Sequence, residues 1–466
     1  MGVGYAEELM LTILGGPNGR QDPDWARMSR RCFLKIGGMA AGGLSLSQLL
    51  SIDAHARTGS SHKAIINIYL PGGPSHHDTF DLKPDSPSEV RGEFRPISTN
   101  VPGIQICELF PRMAKMMDKF AIIRSVVGSE GLHDGFQCMT GRTRKESKPP
   151  GGWPSMAAVV SRLEGEADRS VPPNLSLMYP TGNRTWGEPG GPGFVGAAHA
   201  PMNLVNKDPL EKPEGMTLKG ISLERLRDRT ALLRSVDTFR RDSDASGSMD
   251  GLDRYGQQAI DILSTSKLAD ALDLSKEDPR IVERYGSNDL SYQRDGAPRM
   301  IQNFLVARRL VEAGARVVSL NYSRWDWHGE DGMNFPMSRV EFPMLDRGLS
   351  ALVTDLHERG LDKDVSVVVW GEFGRTPKIN KMNSRDHWPS VTFAVLAGGG
   401  MKTGQVIGAT DRQGAQVTER PVTFQEVFAT LYHRVGVDVR TATVVDPQGR
   451  PQYLVDSGVE PIRELI

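Results

Sequence analysis

The sequence predicts an α/β protein with a doubly wound, mostly parallel sheet and a helical insertion. Three observations predict it. Short apolar, β-branched runs recur at residues 64–70, 120–127, 316–321, 365–370 and 391–396, each short enough for a strand buried on both faces. Periodic stretches separate them, the alternation expected of strand–helix–strand units. Several runs end in turns that deliver imidazoles and carboxylates to one edge, where open α/β sheets place their sites.

In chain order, AIINIYL at 64–70 opens the fold and breaks at Pro71-Gly72-Gly73-Pro74. Residues 82–103 read as a proline- and glycine-rich loop. Residues 108–119 read as an amphipathic helix in which Met113, Met116 and Met117 fill core, and 120–127 as a strand. A helix begins within 133–142 and another covers 153–163. Residues 174–210, which include GEPGGPGFVGAAHAP, read as a long loop or lid. The insertion, 211–299, holds charged helices at 221–241 and 252–272 and an irregular stretch at 279–299. A helix over 301–313 stops at Gly314, and the strand 316–321 has a polar exit at 322–329. A helix over 343–359, strands at 365–370 and 391–396, and a helix over 424–435 complete the pattern.

The leader reads as an export signal. Ser29-Arg30-Arg31-Cys32-Phe33-Leu34-Lys35 is a twin-arginine motif, followed by a weakly apolar run at 36–50 and the small-x-small site Ala54-His55-Ala56. That run is too short and glycine-rich for a membrane span. Residues 1–56 are therefore read as signal plus upstream extension, with Met28 a candidate true start, and 57–466 as the exported domain. The expected partner of the leader is the twin-arginine export machinery, and the expected location periplasmic or extracellular. Only Cys107 and Cys138 then remain, so this is no disulfide scaffold. A net charge of −1 excludes a phosphate-neutralising nucleic-acid binder.

Four polar clusters follow or precede strands: His76, His77, Asp78 and Thr79; Asp326 and His328; Glu372 with Arg375; Asp386 and His387. Imidazole and carboxylate are the ligands of borderline and hard divalent metals. In an open parallel sheet the exits share one edge, so the clusters can converge on a metal. Taken singly, each also reads as a polar turn, an ion pair or an orienting partner. Arg375 suits an anion, because guanidinium binds phosphate or sulfate bidentately. Trp153, Trp186, Trp325, Trp327, Trp370 and Trp388 lie near turns and strand ends, where they either stack a sugar ring or are simply buried.

The stretches YLPGGPSHHDTFD, EVRGEFRPI, ELFPRMAKMMDKFAIIRS, HDGFQCMTGR, WDWHG, VVWGEFGRTP, RDHWP and VTFQEVFATLYHRVGVD together resemble the domain of unknown function 1501 family. That family is similar to the alkaline phosphatase and sulfatase superfamily, whose members bind metal at the carboxyl edge of a doubly wound sheet. The resemblance implies an alkaline phosphatase-like fold and metal-dependent hydrolysis of phosphate or sulfate esters, on a small molecule or carbohydrate. It implies a divalent cation (Zn, Mn or Ca) held by Asp78, with His76 or His77 as alternative, and by Asp326, His328, Glu372 and His387, with Asp386 as ligand or partner. The sulfatase nucleophile motif is absent. Its place falls near His133 and Asp134, where His133 is open to a role as nucleophile, general acid or ligand. Thr79 is an alternative nucleophile. The competing class is a non-catalytic binding protein on a degenerate hydrolase fold.

Overall fold

In β1 (Ala64–Tyr69) every residue is buried, and successive side chains feed opposite cores. Ile66 and Ile68 join one apolar cluster, Ile65 and Tyr69 the other. This two-faced burial is why the sequence shows an unbroken apolar run rather than alternation. The structure is a computed structural model, and it describes residues 10–12, 27–29, 62–146, 148–211, 257–329 and 334–466.

The sheet that contains β1 has nine strands. The others are β2 (Phe120–Val127), β3 (Asn174–Leu177), β4 (Met202–Asn203), β5 (Val317–Asn321), β6 (Val365–Trp370), β7 (Thr392–Gly398), β8 (Gln405–Ile407) and β9 (Val422–Thr423). Their order is β8-β2-β7-β6-β1-β5-β3-β4, with β9 also on β2. β1 is parallel to β5 and β6, and β3 and β4 continue in the same sense. β7 alone is reversed: it is antiparallel to both β6 and β2.

Helices cover both faces. α1 (Phe136–Thr140) follows β2. α2 (Met156–Glu164) and, at the chain's end, α5 (Phe424–Arg434) contribute Val160, Phe428 and Leu431 to the core shared with Val368 and Trp370. Between them, α3 (Asn303–Ala313) and α4 (Asn334–Glu358) contribute Phe304, Leu310, Leu349 and Leu352 to the core shared with Val367 and Val369. The doubly wound, mostly parallel architecture expected from the sequence is the one observed. Gly314 ends α3 as expected, at φ +130° with its N–H returning to Leu310 and Val311.

Several local expectations are corrected. Residues 108–119 form no continuous helix: Pro111 starts a single turn, Pro111–Ala114, and a 3-10 turn follows at Met117–Lys119. Asp346 takes the N–H groups of Arg112 and Met113, which anchors that turn. Met113 and Met117 are core, as expected. Residues 82–103 include the turn Ser88–Arg91 and the strand Pro96–Ser98 paired with Gln105–Cys107. The expected loop at 174–210 begins with β3 and contains β4, strands too short to stand out in sequence. The irregular stretch at 279–299 is a capped helix, Pro279–Tyr285, and a hairpin joining Asp289–Tyr292 to Pro298–Arg299. α4 begins nine residues before Pro343. Phe335, Ser338, Phe342, Leu345 and Leu349 keep one buried face across that proline, and packing outweighs the lost N–H.

Of the insertion, 212–256 lies outside the described residues, and Lys267–Leu272 is helical. The twin-arginine residues Arg30 and Arg31, the run 36–50 and Ala54-His55-Ala56 also lie outside them. In a separate unit ending at Gly59, Met10–Thr12 pairs antiparallel with Arg27–Ser29. Among the described residues no helix is long and apolar enough to cross a membrane. Cys107 and Cys138 are both buried and not disulfide-bonded.

Candidate metal centre

The exits of β1, β2, β5 and β6 all leave the same edge of the sheet, because these strands run in one sense. The segment around His387 reaches that edge for the opposite reason. It precedes β7, and only a reversed strand starts where its neighbours end. A two-residue ribbon pairing Gly374–Arg375 with His387–Trp388 then fixes this segment beside the exit of β6.

At that edge four side chains meet. Ligand-capable atoms of His133, Asp326, His328 and His387 all lie within 4.8 Å of one another. Asp326 is the buried base of the group. Its Oδ1 is 3.0 Å from His387 Nε2 and 3.4 Å from His133 Nε2, and its Oδ2 is 3.1 Å from His328 Nε2. Nε2 of His133 is 3.0 Å from Nε2 of His387. The imidazoles form the mouth: the side chains of His133 and His387 are 30% exposed and that of His328 39%, against 3% for Asp326. Burial opposes ionisation of Asp326, yet the three imidazoles beside it and the Arg375 guanidinium hold its carboxyl far below the usual range. Burial lowers the pKa of His387, against the pull of Asp326. A neutral imidazole keeps a lone pair for a metal.

Three imidazoles and one ionised carboxylate make a donor set that fits a borderline divalent cation. The rings are oriented by their surroundings. His133 stacks on Phe373 at 5.8 Å and lies against Trp186, while Asn380 donates to the His328 carbonyl at 2.9 Å.

The remaining sequence candidates build the edge rather than the mouth. The turn after β1 is held from both sides by the exit of β6. Glu372 takes the N–H groups of Gly72 (2.8 Å) and Gly73 (3.3 Å) and the Trp186 indole N–H (2.9 Å). Arg375, 1% exposed, donates to the carbonyls of Gly73, Gly72, Trp325 and Arg385 and to Asp326 Oδ1 (2.7 Å). Its guanidinium is thus enclosed by the fold and does not face the opening expected of an anion clamp. Gly72 has φ +104°, and a Cβ there would stand 2.6 Å from the Asp326 amide nitrogen. Only glycine allows this approach. Burial pushes the Glu372 carboxyl up to about 7, against the N–H groups of the turn.

Asp78 is fully enclosed. It accepts a bidentate pair from Arg385 (2.8 and 3.1 Å), with further bonds from Ser75 and Asn334. Arg385 carries no role in the sequence reading, yet it tethers the segment that bears His387 to the loop after β1. The one sequence signal for it is its place in RDHWP. His76 and His77 turn Nε2 toward the carbonyls of Gly414 (2.9 Å) and Gln413 (2.7 Å), outside the four-residue group. The Thr79 hydroxyl is buried and donates to the Ser75 carbonyl of its own turn. Asp134 accepts the Phe136 N–H at the start of α1 and pairs with Arg144. Asp386 is exposed and accepts from Asn380 (2.8 Å). Of the expected metal ligands, then, Asp326, His328 and His387 converge, with His133 as fourth. His76, His77, Asp78, Glu372 and Asp386 do not join the group.

No curated protein matches the chain. Solved structures similar to it include Ps i-CgsB, at 9% identity and TM-score 0.38, covering 81% of this chain and 73% of that one. Another is PsFucS1 sulfatase from Pseudoalteromonas sp., at 11% identity and TM-score 0.32, covering 84% and 70%. A third is the phosphonate monoester hydrolase SpPMH from Silicibacter pomeroyi, at 11% and 0.32, covering 81% and 73%. The profile of the proteins of unknown function DUF1501 matches residues 62–466, a span that contains the whole sheet, the four-residue group and its supports. The chain belongs to the DUF1501 family.

Proposed function

We propose that this protein is an exported, metal-dependent hydrolase of phosphate or sulfate esters, acting on a small-molecule or carbohydrate ester, with a divalent cation held by His133, Asp326, His328 and His387. The observation that carries the proposal is the meeting of these four ligand atoms within 4.8 Å at the carboxyl edge of the sheet. Three nitrogens among four donors favour Zn²⁺ over Ca²⁺ and Mn²⁺, which suit oxygen ligands better. A cation there would supply Lewis acidity toward an ester oxygen. The chain's own residues prepare the site. Asp326 orients the imidazoles, the glycine turn and its two clamps keep Asp326 in place, and Phe373 and Trp186 shield one side from water.

A specific observation favours a second reading, a binding protein without turnover. The Thr79 hydroxyl and the Arg375 guanidinium are enclosed, so neither reaches an ester in the mouth. Turnover decides between the two. The mature protein, stripped with EDTA and reloaded with Zn²⁺ or Mn²⁺, should hydrolyse 4-nitrophenyl phosphate or 4-nitrophenyl sulfate and lose that activity in His328→Ala. Metal binding with no turnover on either ester would leave the binding reading. The export signal is tested separately by N-terminal sequencing of precursor and mature forms, which should place the start at Met28 and cleavage after Ala56.

A further inference from the structure

Beside the histidine mouth lies an open cleft of about 430 Å³, lined among others by Phe136, Arg144, Trp153, Thr185, Glu188 and Asn203. We infer that this cleft is a subsite for a neutral, polyhydroxylated ring, a sugar unit of the substrate, which rests on the hydrolase reading for its catalytic meaning but not for its binding.

The cleft is continuous with the metal centre through the chain itself. Thr185 on its wall is hydrogen-bonded by Oγ1 to the His133 carbonyl, and Phe136 begins the helical turn three residues after His133. Arg144 on the same wall pairs with Asp134, the neighbour of His133. A ring seated in the cleft therefore lies against the segment that carries His133 to the cation.

The wall is prebuilt. Gly190 and Gly193 have φ +79° and +50°, and a Cβ at Gly193 would stand 2.4 Å from the Pro154 nitrogen. The Gly191 carbonyl accepts from Ser155 N–H, and the Gly152 carbonyl from Phe194 N–H (2.9 and 3.0 Å). This glycine-rich run thus wraps the Trp153-Pro154 backbone closely, and the Phe194 ring meets the indole edge-on at 5.9 Å. The Arg142 guanidinium stacks on Trp153 at 4.1 Å from the ring centroid, and Arg144 on Phe136 at 4.6 Å. Trp186, Trp325, Trp327 and Trp370 are enclosed, whereas Trp153 stays half-buried at the rim.

The charges of the wall cancel. Arg144 faces Asp134 and, at 3.8 Å, Glu188, and Glu188 also pairs with Arg184 at 2.8 Å. Among the residues that line the cleft the two charged ones, Arg144 and Glu188, are thus both paired, and Lys148 Nζ stands off at 5.8 Å from the Phe136 ring; the anion of the ester is assigned to the cation and the neutral ring to the cleft. Fixed aromatic faces flanked by planar amide, carboxylate and guanidinium groups suit a ring with apolar C–H patches and an equator of hydroxyls.

The test uses EDTA-stripped mature protein, so that sugar binding is read without metal. The probes are methyl β-D-galactopyranoside, methyl α-D-glucopyranoside and methyl α-L-fucopyranoside with their hexasaccharides, followed by calorimetry and saturation-transfer NMR. At least one hexasaccharide should bind. Trp153→Ala should weaken it at least ~10-fold, as loss of an aromatic platform would, and the exposed Asn203→Ala roughly threefold. Trp153→Phe should recover part of the loss, and His328→Ala should leave sugar affinity unchanged. No binding by any probe, or equal binding by wild type, Trp153→Ala and Asn203→Ala, overturns the inference. Sugar binding that survives while the metal-loaded protein hydrolyses no ester would sink the hydrolase reading and leave the subsite standing.

Discussion

Two polar regions share one edge of the sheet and behave oppositely. Around the turn after β1, Asp78, Glu372, Arg375 and Arg385 are buried, and each is bonded to several partners within the fold. A few residues away, His133, His328 and His387 are about one-third exposed and share a single buried carboxylate. The first region has used its hydrogen-bonding capacity on the fold. The second retains lone pairs and an opening. Residue type does not separate structural from functional polar groups here, since carboxylates occur in both; the three imidazoles stand apart by their opening to solvent, and Asp326, buried and bonded to Arg375, links the two regions.

The largest expected effect lies in the saturated region. Arg385→Ala leaves Asp78 buried and unpaired, and should destabilise the fold by about 3–5 kcal/mol in urea unfolding. A loss below about 1 kcal/mol would mean that the pair is not what holds the His387 segment in place.

Glu372 gives the next effect, and it carries a sign. Its folded pKa is raised from 4.5 to about 7, so the folded state holds a proton that the unfolded chain releases. The contribution is complete below about pH 4.5 and is lost as pH rises through about 7, up to about 3 kcal/mol in all. Glu372→Gln should erase that pH dependence, with a stability difference from wild type that grows from pH 5 to pH 8. Parallel curves for the two proteins would contradict the assignment.

Smaller effects belong to the open region. Without metal, His387→Ala should change unfolding stability by no more than about 1 kcal/mol, since a ring about one-third exposed gives up little on truncation. Asp386→Ala, next in sequence but exposed and outside the group, should stay within about 0.5 kcal/mol. Should these two variants instead match Arg385→Ala, the contrast between the regions would fail.

Much of the sheet was legible because the strands are buried on both faces and punctuated by glycine and proline. Residues 120–127 and 365–370 match β2 and β6. Strand direction was not legible, since nothing in TFAVLAG marks β7 as reversed, and that reversal carries His387 to the site. Helix length failed where single residues misled: Pro111 interrupts an otherwise periodic stretch, and Pro343 is absorbed by α4. In the candidate site, the residue types that could bind metal were visible. Which of them converge depends on long-range partners. Asp78 meets Arg385 some 307 positions away, and Glu372 meets Gly72 300 positions back. Spacing along the chain has no record of such encounters.

The most direct test of the account is calorimetric titration of Zn²⁺ and Mn²⁺ into the EDTA-stripped mature protein. It should show one tight site, weakened at least ~100-fold in both His328→Ala and His387→Ala and unchanged in Asp386→Ala, a loss larger than the 10–100-fold typical of removing an outer-shell partner. Equal affinity in all four proteins, or no heat of binding in any, would contradict a cation at His133, Asp326, His328 and His387.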